Sequence, residues 1–412
     1  MRDKYDVVVI GAGGAGLATS YHLKRLGVEH VVLERGRAGE TWLANRWDSF
    51  TLVNPNWAVR LPGFHYSATD PDGYLPRDEV VEYLRRYALS FDAPLREGID
   101  VRHLERTVDG GYCMATTDGD ICARIVVVAT GAFGVPAKPA FSDRMSPRIT
   151  QVHSNEYRSA AQLPPGAVLV VGSGQSGAQI AEDLMDAGRK VYLSVSRAGR
   201  RPRRYRGRDS SWWNNEMGAF DRTADDVASI HNARFSSSSH TSGTKGGHNI
   251  YLRAMSRDGA VLLGRLEDAD GERLRIAHDL HENLNAADEH AAKWRQGVDR
   301  WVQEHGLDFP AEPDPDPPGL DAYPEGEPLR SLDMAAAEIG TVIWATGFRY
   351  DFGWIRLPVA GPDGFPVQSR GVTAFRGLYF VGLQWMYSAK SAQFIGVGED
   401  AEYVARHIAD RI

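Results

Sequence analysis

Cysteine is nearly missing from this chain: two occur in 412 residues, Cys113 and Cys122, and no Cys-x-x-Cys motif is present. That argues against a dithiol/disulfide reductase. The two cysteines flank Asp118-Gly119. With those residues as a two-residue hairpin loop, Cys122 faces Ala115 and Cys113 lies one diagonal step away, roughly 7 Å, which is long for a disulfide. The expectation is two reduced core thiols and a cytoplasmic protein. Long hydrophobic runs are also lacking, and a first strand beginning within a few residues of Met1 leaves no room for a signal peptide, so no membrane partner is expected. Positive charge is not in excess either. A net charge of −7 argues against a nucleic-acid partner and leaves the basic run 197–208 to be explained on its own. No cluster-binding or haem motif is seen, and no metal is expected.

What is present begins at Val7-Val-Val-Ile10, which feeds directly into Gly11-Ala-Gly13-Gly-Ala-Gly16. An amphipathic segment follows (Leu17, Tyr21, Leu23, Leu26), and Val31-Val-Leu closes on Glu34. This order of strand, G-x-G-x-x-G turn, helix, strand and acid is that of a βαβ unit holding a dinucleotide. Gly11 permits the turn, Gly13 admits the pyrophosphate to the backbone, and Gly16 lets helix and strand approach, so the phosphates meet the unpaired N–H groups of a helix start. Glu34 would bind ribose hydroxyls and repel a 2′-phosphate.

The design recurs at Val168-Leu-Val-Val-Gly172-Ser-Gly174-Gln-Ser-Gly177, and there the following strand closes on Ser196-Arg197 instead of an acid. A cation at that place suits the 2′-phosphate of NADPH. Arg200, Arg201, Arg203 and Arg204 either add to the field or form a solvated basic loop. Two strands end alike, Ala129-Thr-Gly131 and Ala345-Thr-Gly347. Between these landmarks, residues 36–63 are rich in Trp, Asn and Arg and read as an irregular segment folded over a ligand. Helices are expected from Leu75 on, over 277–305 and over 399–408. Short strands are expected near 99–104, 112–116, 121–129 and 261–266. Residues 236–247 are Ser/Gly-rich and read as mobile, and the proline-rich stretch 309–327 reads as an extended connection between domains. With 42% hydrophobic and 25% charged residues, the chain has material for two cored domains.

Two dinucleotide folds, two Ala-Thr-Gly strand ends and a closing Gly377-Leu-Tyr-Phe-Val-Gly382 resemble the two-dinucleotide-binding-domain flavoproteins. Among these the chain is most similar to the flavin-containing monooxygenases, including the plant indole-3-pyruvate monooxygenases. The likeness covers most of 5–200 and 340–410. It implies an α/β fold of two Rossmann-like domains, the NADPH domain inserted into the FAD domain: 1–157 and 336–412 for FAD, 158–335 for NADPH. It assigns FAD to Gly11, Gly13, Gly16 and Glu34, and NADPH to Gly172, Gly174, Gly177 and Arg197. Arg35, Trp42, Ala129, Gly131, Gln175, Ser176, Ser196, Gly347 and Gly382 are counted with the two cofactor sites. Leu52-Val-Asn54 matches the place where many members carry an asparagine near the flavin. The family fingerprint F-x-G-x-x-x-H keeps His153 and Ser154, followed by Tyr157-Arg158, while Pro147 and Ile149 stand where the Phe and Gly belong.

The resemblance implies that NADPH passes hydride to the flavin, that reduced flavin captures O2 as a peroxide on its carbon 4a, and that this adduct oxygenates a small organic substrate at a soft N, S or aromatic carbon. Asn54 would hold the peroxide or the nicotinamide amide, or else cap the turn at Pro55. His153 reads as an interdomain residue or a hydrogen-bonded turn histidine. Lys390 would stabilise charge on reduced flavin, or is an exposed lysine. Trp42, Trp47, Trp57, Trp212, Trp213 and Trp385 would wall an aromatic pocket or fill cores. The alternatives are an FAD-dependent NAD(P)H oxidase or dehydrogenase that inserts no oxygen, and an electron-transfer protein that docks through the basic run. The expected partners are the small substrate and O2, with homodimerisation left open.

Overall fold

The four apolar residues before the first glycine turn lie inside the strand Asp3–Ile10, which runs parallel to His30–Glu34 on one side and Gly119–Val128 on the other. Its second half, Val7–Ile10, is covered on both faces and so is apolar at every position, while Asp3–Asp6 is exposed or half-buried. Val7 and Val9 face the helices Gly14–Arg25, Arg77–Ser90 and Val397–Ala409, against Leu17, Leu84 and Val404. Val8 and Ile10 face the opposite side, against Met114, Phe352 and Phe380. Leu95–Glu97 extends this sheet at one end and Leu378–Phe380 at the other, so the C-terminal strand and helix return to the first unit. The computed structural model describes residues 3–237, 239–311 and 316–412.

A second parallel sheet has the order Thr150–His153, Ile339–Trp344, Ala167–Val171, Val191–Ser194, Val261–Leu263. Gln175–Asp186 packs Ile180, Ala181 and Leu184 on one of its faces. The chain passes between the two sheets twice, and the crossings run side by side as a short antiparallel ribbon, Val135–Pro136 against Phe348–Arg349. The expected limits at 157/158 and 335/336 therefore lie one strand inside the second sheet. Of the expected helices, 277–305 is found as Leu280–Glu304 and the last as Val397–Ala409. Part of the proline-rich stretch, 312–315, falls outside the described residues. Among the described residues no helix is long and apolar enough to cross a membrane.

The cysteine expectation is corrected. The hairpin loop is Thr117-Asp118, and the return strand opens on Gly119 at φ +88°, which suits glycine. Thr116 therefore pairs with Gly119, and Cys113 sits directly opposite Cys122, with their Cα atoms 4.1 Å apart and their sulfurs bonded. The paired sulfurs remove the thiol argument for a reducing compartment.

The Ser/Gly-rich segment is tied down at several points. The His240 N–H donates to Gly199 O, and its Nε2–H donates to Ser173 O at 2.5 Å. The Gln175 side chain exchanges two hydrogen bonds with the Thr241 backbone. Gly243 lies against Leu52 O, so close that a Cβ there would collide with it. This strap thus joins the second glycine loop to the first unit, and it buries His240, lowering its pKa to about 4.

Two outcomes follow. Thiol titration of the denatured chain should find its two thiols only after reduction, and the double variant Cys113→Ser/Cys122→Ser should lose about 2–3 kcal/mol in urea unfolding for a loop of this length. The unfolded chain, with His240 near its ordinary 6.5, binds the proton first as pH falls. Stability from the neutral ring is therefore complete above pH 6.5 and is lost down to about pH 4. Replacing His240 by Gln should flatten the native protein's stability decline across that window by up to about 3 kcal/mol. Parallel declines would show that the ring does not titrate there.

Candidate functional site

Both glycine loops are built in the same way. Gly11 sits at φ +106°, where a Cβ would stand 2.6 Å from Ala129 O, and Gly172 at φ +98°, where it would stand 2.6 Å from Ala345 O. A Cβ at Gly16 would strike Gly11 O, and one at Gly177 would strike Gly172 O. The repeated Ala-Thr-Gly ends thus have a physical reason: each alanine carbonyl closes on the first glycine of its loop. Gly13 and Gly174 start the two helices, and neither helix has a side-chain cap or an acid in its first turn. Their N–H groups and positive ends are left for a ligand. By contrast, Val397–Ala409 carries Glu399 and Asp400 in its own first turn. That helix packs on Gly14–Arg25 and does not offer a third anion site.

The strand ends differ in sign. Glu34 accepts the Ala12 N–H at 2.8 Å and the Gly36 N–H at 3.0 Å, which fixes its carboxylate at the mouth of the first loop. Arg35 beside it is exposed. In the second unit Ser196 is pinned through its backbone to the Ser173 hydroxyl, by bonds of 3.0 and 3.1 Å. Arg197 is exposed and meets no carboxylate among the described residues, and Ser176 is exposed on the helix start. The remaining arginines of the basic run are largely spent on structure. Arg200 pairs with Asp288 and Asp316, Arg203 with Asp209, and Arg206 with Asp299. A continuous basic docking face is therefore absent among the described residues.

The junction between the units collects the other candidates. Asn54 donates from Nδ2 to Gln393 Oε1 at 2.9 Å, and does not cap the turn at Pro55. Next in sequence, Phe394 lies against Gly14 and stacks on Trp42, with centroids 5.9 Å apart. Gly382, at φ +84°, fits closely over Ala15. His153 is fully buried; its Nε2–H donates to Gly347 O at 3.0 Å, and its ring meets Phe348 edge-on. Burial outweighs its hydrogen bonds to Asn155 and Gly347 and lowers its pKa, so the ring is a neutral strut under the second Ala-Thr-Gly end. Lys390 is corrected on both readings: its side chain is 12% exposed and its ammonium lies 2.6 Å from both Asp221 and Glu399. Burial opposes the charge, the two carboxylates outweigh it, and the raised pKa belongs to a cation already neutralised.

The tryptophans divide. Trp42 belongs to the junction. Trp47 is buried in the second unit's core with Tyr157 and Val168, and Trp212 and Trp213 join a separate cluster with Trp301 and Phe309. Residues 47–50, expected over a ligand, stitch the units together: Ser49 and Tyr157 both bond Asp183, and the Asp48 N–H donates to Arg158 O. Sequence reasoning passed over Gln393, Phe394, Phe133 and Phe348. For the first two the signal was proximity to the terminal glycine turn, and for the phenylalanines it was their place just after Gly131 and Gly347.

Residues 8–251 match the family described as pyridine nucleotide-disulphide oxidoreductase. An uncharacterized CzcO-like oxidoreductase from Geobacillus kaustophilus is 32% identical over 99% of both chains. The indole-3-pyruvate monooxygenase YUCCA1 of Oryza sativa is 33% identical over 46% of this chain and 47% of its own. A flavin-containing monooxygenase from Stenotrophomonas maltophilia superposes with a TM-score of 0.65 at 22% identity, over 99% of both chains. The chain belongs to the pyridine nucleotide-disulphide oxidoreductase family and is a flavoprotein oxidoreductase that shares the fold of a flavin-containing monooxygenase.

Proposed function

We propose that this protein is an FAD- and NADPH-dependent monooxygenase acting on a small organic molecule. The observation that carries the reading is the pair of uncapped, acid-free helix starts whose strands close on opposite charges, Glu34 in one and Arg197 in the other. The residues fit two dinucleotides. The first loop, Gly11, Gly13 and Gly16 with Glu34, would hold FAD, whose ribose carries no 2′-phosphate. The second, Gly172, Gly174 and Gly177 with Ser196 and Arg197, would hold NADPH. FAD, when bound and reduced, supplies the reaction with dioxygen. The chain's own part is placement. Ala129, Gly131 and Gly382 shape one wall and Gly347 the other, His153 holds the Gly347 carbonyl in place, and Trp42 with Phe394 shuts water from the side next to the first loop. Asn54 offers an amide at the junction, with its Nδ2–H oriented by Gln393 and its oxygen left to accept. The two cysteines are bonded to each other, which leaves no thiol for a relay.

Replacing Arg197 by Ala should raise the KM for NADPH by about tenfold while leaving that for NADH nearly unchanged, the cost of one charge-assisted phosphate contact. Equal effects on the two would remove Arg197 from the 2′-phosphate. The reading itself is tested by balancing NADPH oxidised against oxygenated product and free hydrogen peroxide, across amines, sulfides and aromatic acids. Product should account for most of the electrons with at least one substrate, and Asn54→Ala should divert them to peroxide. Peroxide with every substrate would make the protein an oxidase, and a purified protein that takes up no FAD would end the proposal.

A further inference from the structure

Arg46 stands at the junction just described and, like Arg158 and Arg201, forms no ion pair among the described residues. Arg77, Arg200, Arg203, Arg206 and Arg253 each face at least one carboxylate. Arg46 faces none. Its single hydrogen bond goes from Nη1 to the neighbouring Asn45 O at 2.9 Å. Its guanidinium carbon lies 4.9 Å from the Phe133 ring centroid and 5.6 Å from those of Trp42 and Phe50. Four N–H donors of a permanently charged fork are thus held among aromatic rings with no protein acceptor. None of its nitrogens is sealed away from solvent and unsatisfied, as the Arg201 Nε is. The charge that acts on it is a second cation, Arg158, which donates to the carbonyls of Asn155 and Tyr157.

Such a group is costly to keep. Burial, with Arg158 adding repulsion, lowers its pKa to about 10, and the rings return only part of that cost. The position explains the expense. Through Trp42 and Phe394 the arginine is joined to Asn54 and Gln393, and through Phe133 and Phe348 to His153. It therefore borders the same junction. We propose that Arg46 is the docking point for an anionic oxygen group, a carboxylate or phosphate, on the ligand that enters the junction. This rests on the proposed function only in taking the junction as the reaction site. A planar fork matches a carboxylate by two parallel N–H bonds, and the rings beside it favour a flat, apolar body.

The test uses the full-length, FAD-loaded protein, with benzoate and its neutral isostere benzamide as probes in isothermal titration calorimetry. The native protein should bind benzoate about tenfold or more tightly than benzamide, the worth of a charge-assisted pair. Arg46→Met, which keeps the apolar stem, should erase the preference, and Arg46→Lys should restore part of it. Anaerobic flavin reduction by NADPH in the same variants separates the two sources of the anion. An unchanged NADPH dependence with lost benzoate binding assigns the anion to the substrate. A tenfold weaker NADPH dependence with benzoate unchanged assigns it to the dinucleotide phosphates. A native protein that is reduced by NADPH yet binds the two probes equally overturns the substrate assignment and leaves the proposed function standing, even if Arg46→Met fails to fold. Arg46→Met or Arg46→Gln with both responses intact overturns the docking role itself. Failure of the native protein to take up FAD would sink the proposed function instead.

Discussion

Everything in this molecule depends on two backbone contacts too close for any side chain: Ala129 O against Gly11, and Ala345 O against Gly172. Each fixes the height of a strand end relative to its glycine loop, and the second pair of glycines, Gly16 and Gly177, then lets the helix settle on the loop's own carbonyl. A methyl group at any of these positions would push helix and strand apart. The pyrophosphate cradle is therefore set by what is absent from the sequence at four places, and the apolar strands on either side serve to hold that geometry rigid.

Charge then separates two sites that share a backbone. The helix starts Gly14–Arg25 and Gln175–Asp186 present the same uncapped N–H groups, so neither can tell one dinucleotide from another. In the proposed function, discrimination falls to the residue one strand further on. Glu34 is held by two backbone donors and cannot turn away from a phosphate. Arg197 is exposed and pairs with no carboxylate among the described residues, while Arg200, Arg203 and Arg206 are locked onto aspartates. This division has an energetic logic. The pairs Arg203–Asp209 and Arg200–Asp288 tie the basic run to the start of the helix Ser210–Glu216 and to the long helix, where unpaired charge would be destabilising. An arginine at the rim keeps its hydration until a ligand replaces it.

The two βαβ units were legible because their signals are local: four consecutive apolar residues, three glycines at fixed spacing, and a charged residue closing the next strand. The long helix at Leu280–Glu304 was legible for the same reason, by its period. What escaped is register and non-local contact. The pairing of Cys113 with Cys122 turned on which two residues form a hairpin loop, and a different choice of loop separates bonded sulfurs from diagonal thiols. Lys390 could not be assigned from sequence because Asp221, one of its two partners, is 169 residues away in the chain. Residues 47–50 carry the composition of a ligand-covering loop, yet Trp47 is drawn into the second unit's core by apolar burial that no local pattern encodes.

The fingerprint departure falls in the same frame. Pro147 is exposed and Ile149 is a buried core residue, both in the turn before the strand Thr150–His153. That turn is remote from the junction, because the strand carries the chain away from it. His153 and Ser154 stand at the strand's far end, where His153 bonds Gly347 O and the Ser154 N–H donates to Trp344 O. The retained half of the motif is thus the half that touches the second Ala-Thr-Gly end. The altered half lies where a proline and an isoleucine satisfy a turn and a core as well as other residues would. A change at 147 or 149 reaches the junction only through the strand between them, and that strand is fixed by four parallel pairs to Ile339–Trp344. The geometry around Gly347 is therefore insulated from the substitution, and the loss of the Phe and Gly does not by itself remove the histidine's structural role.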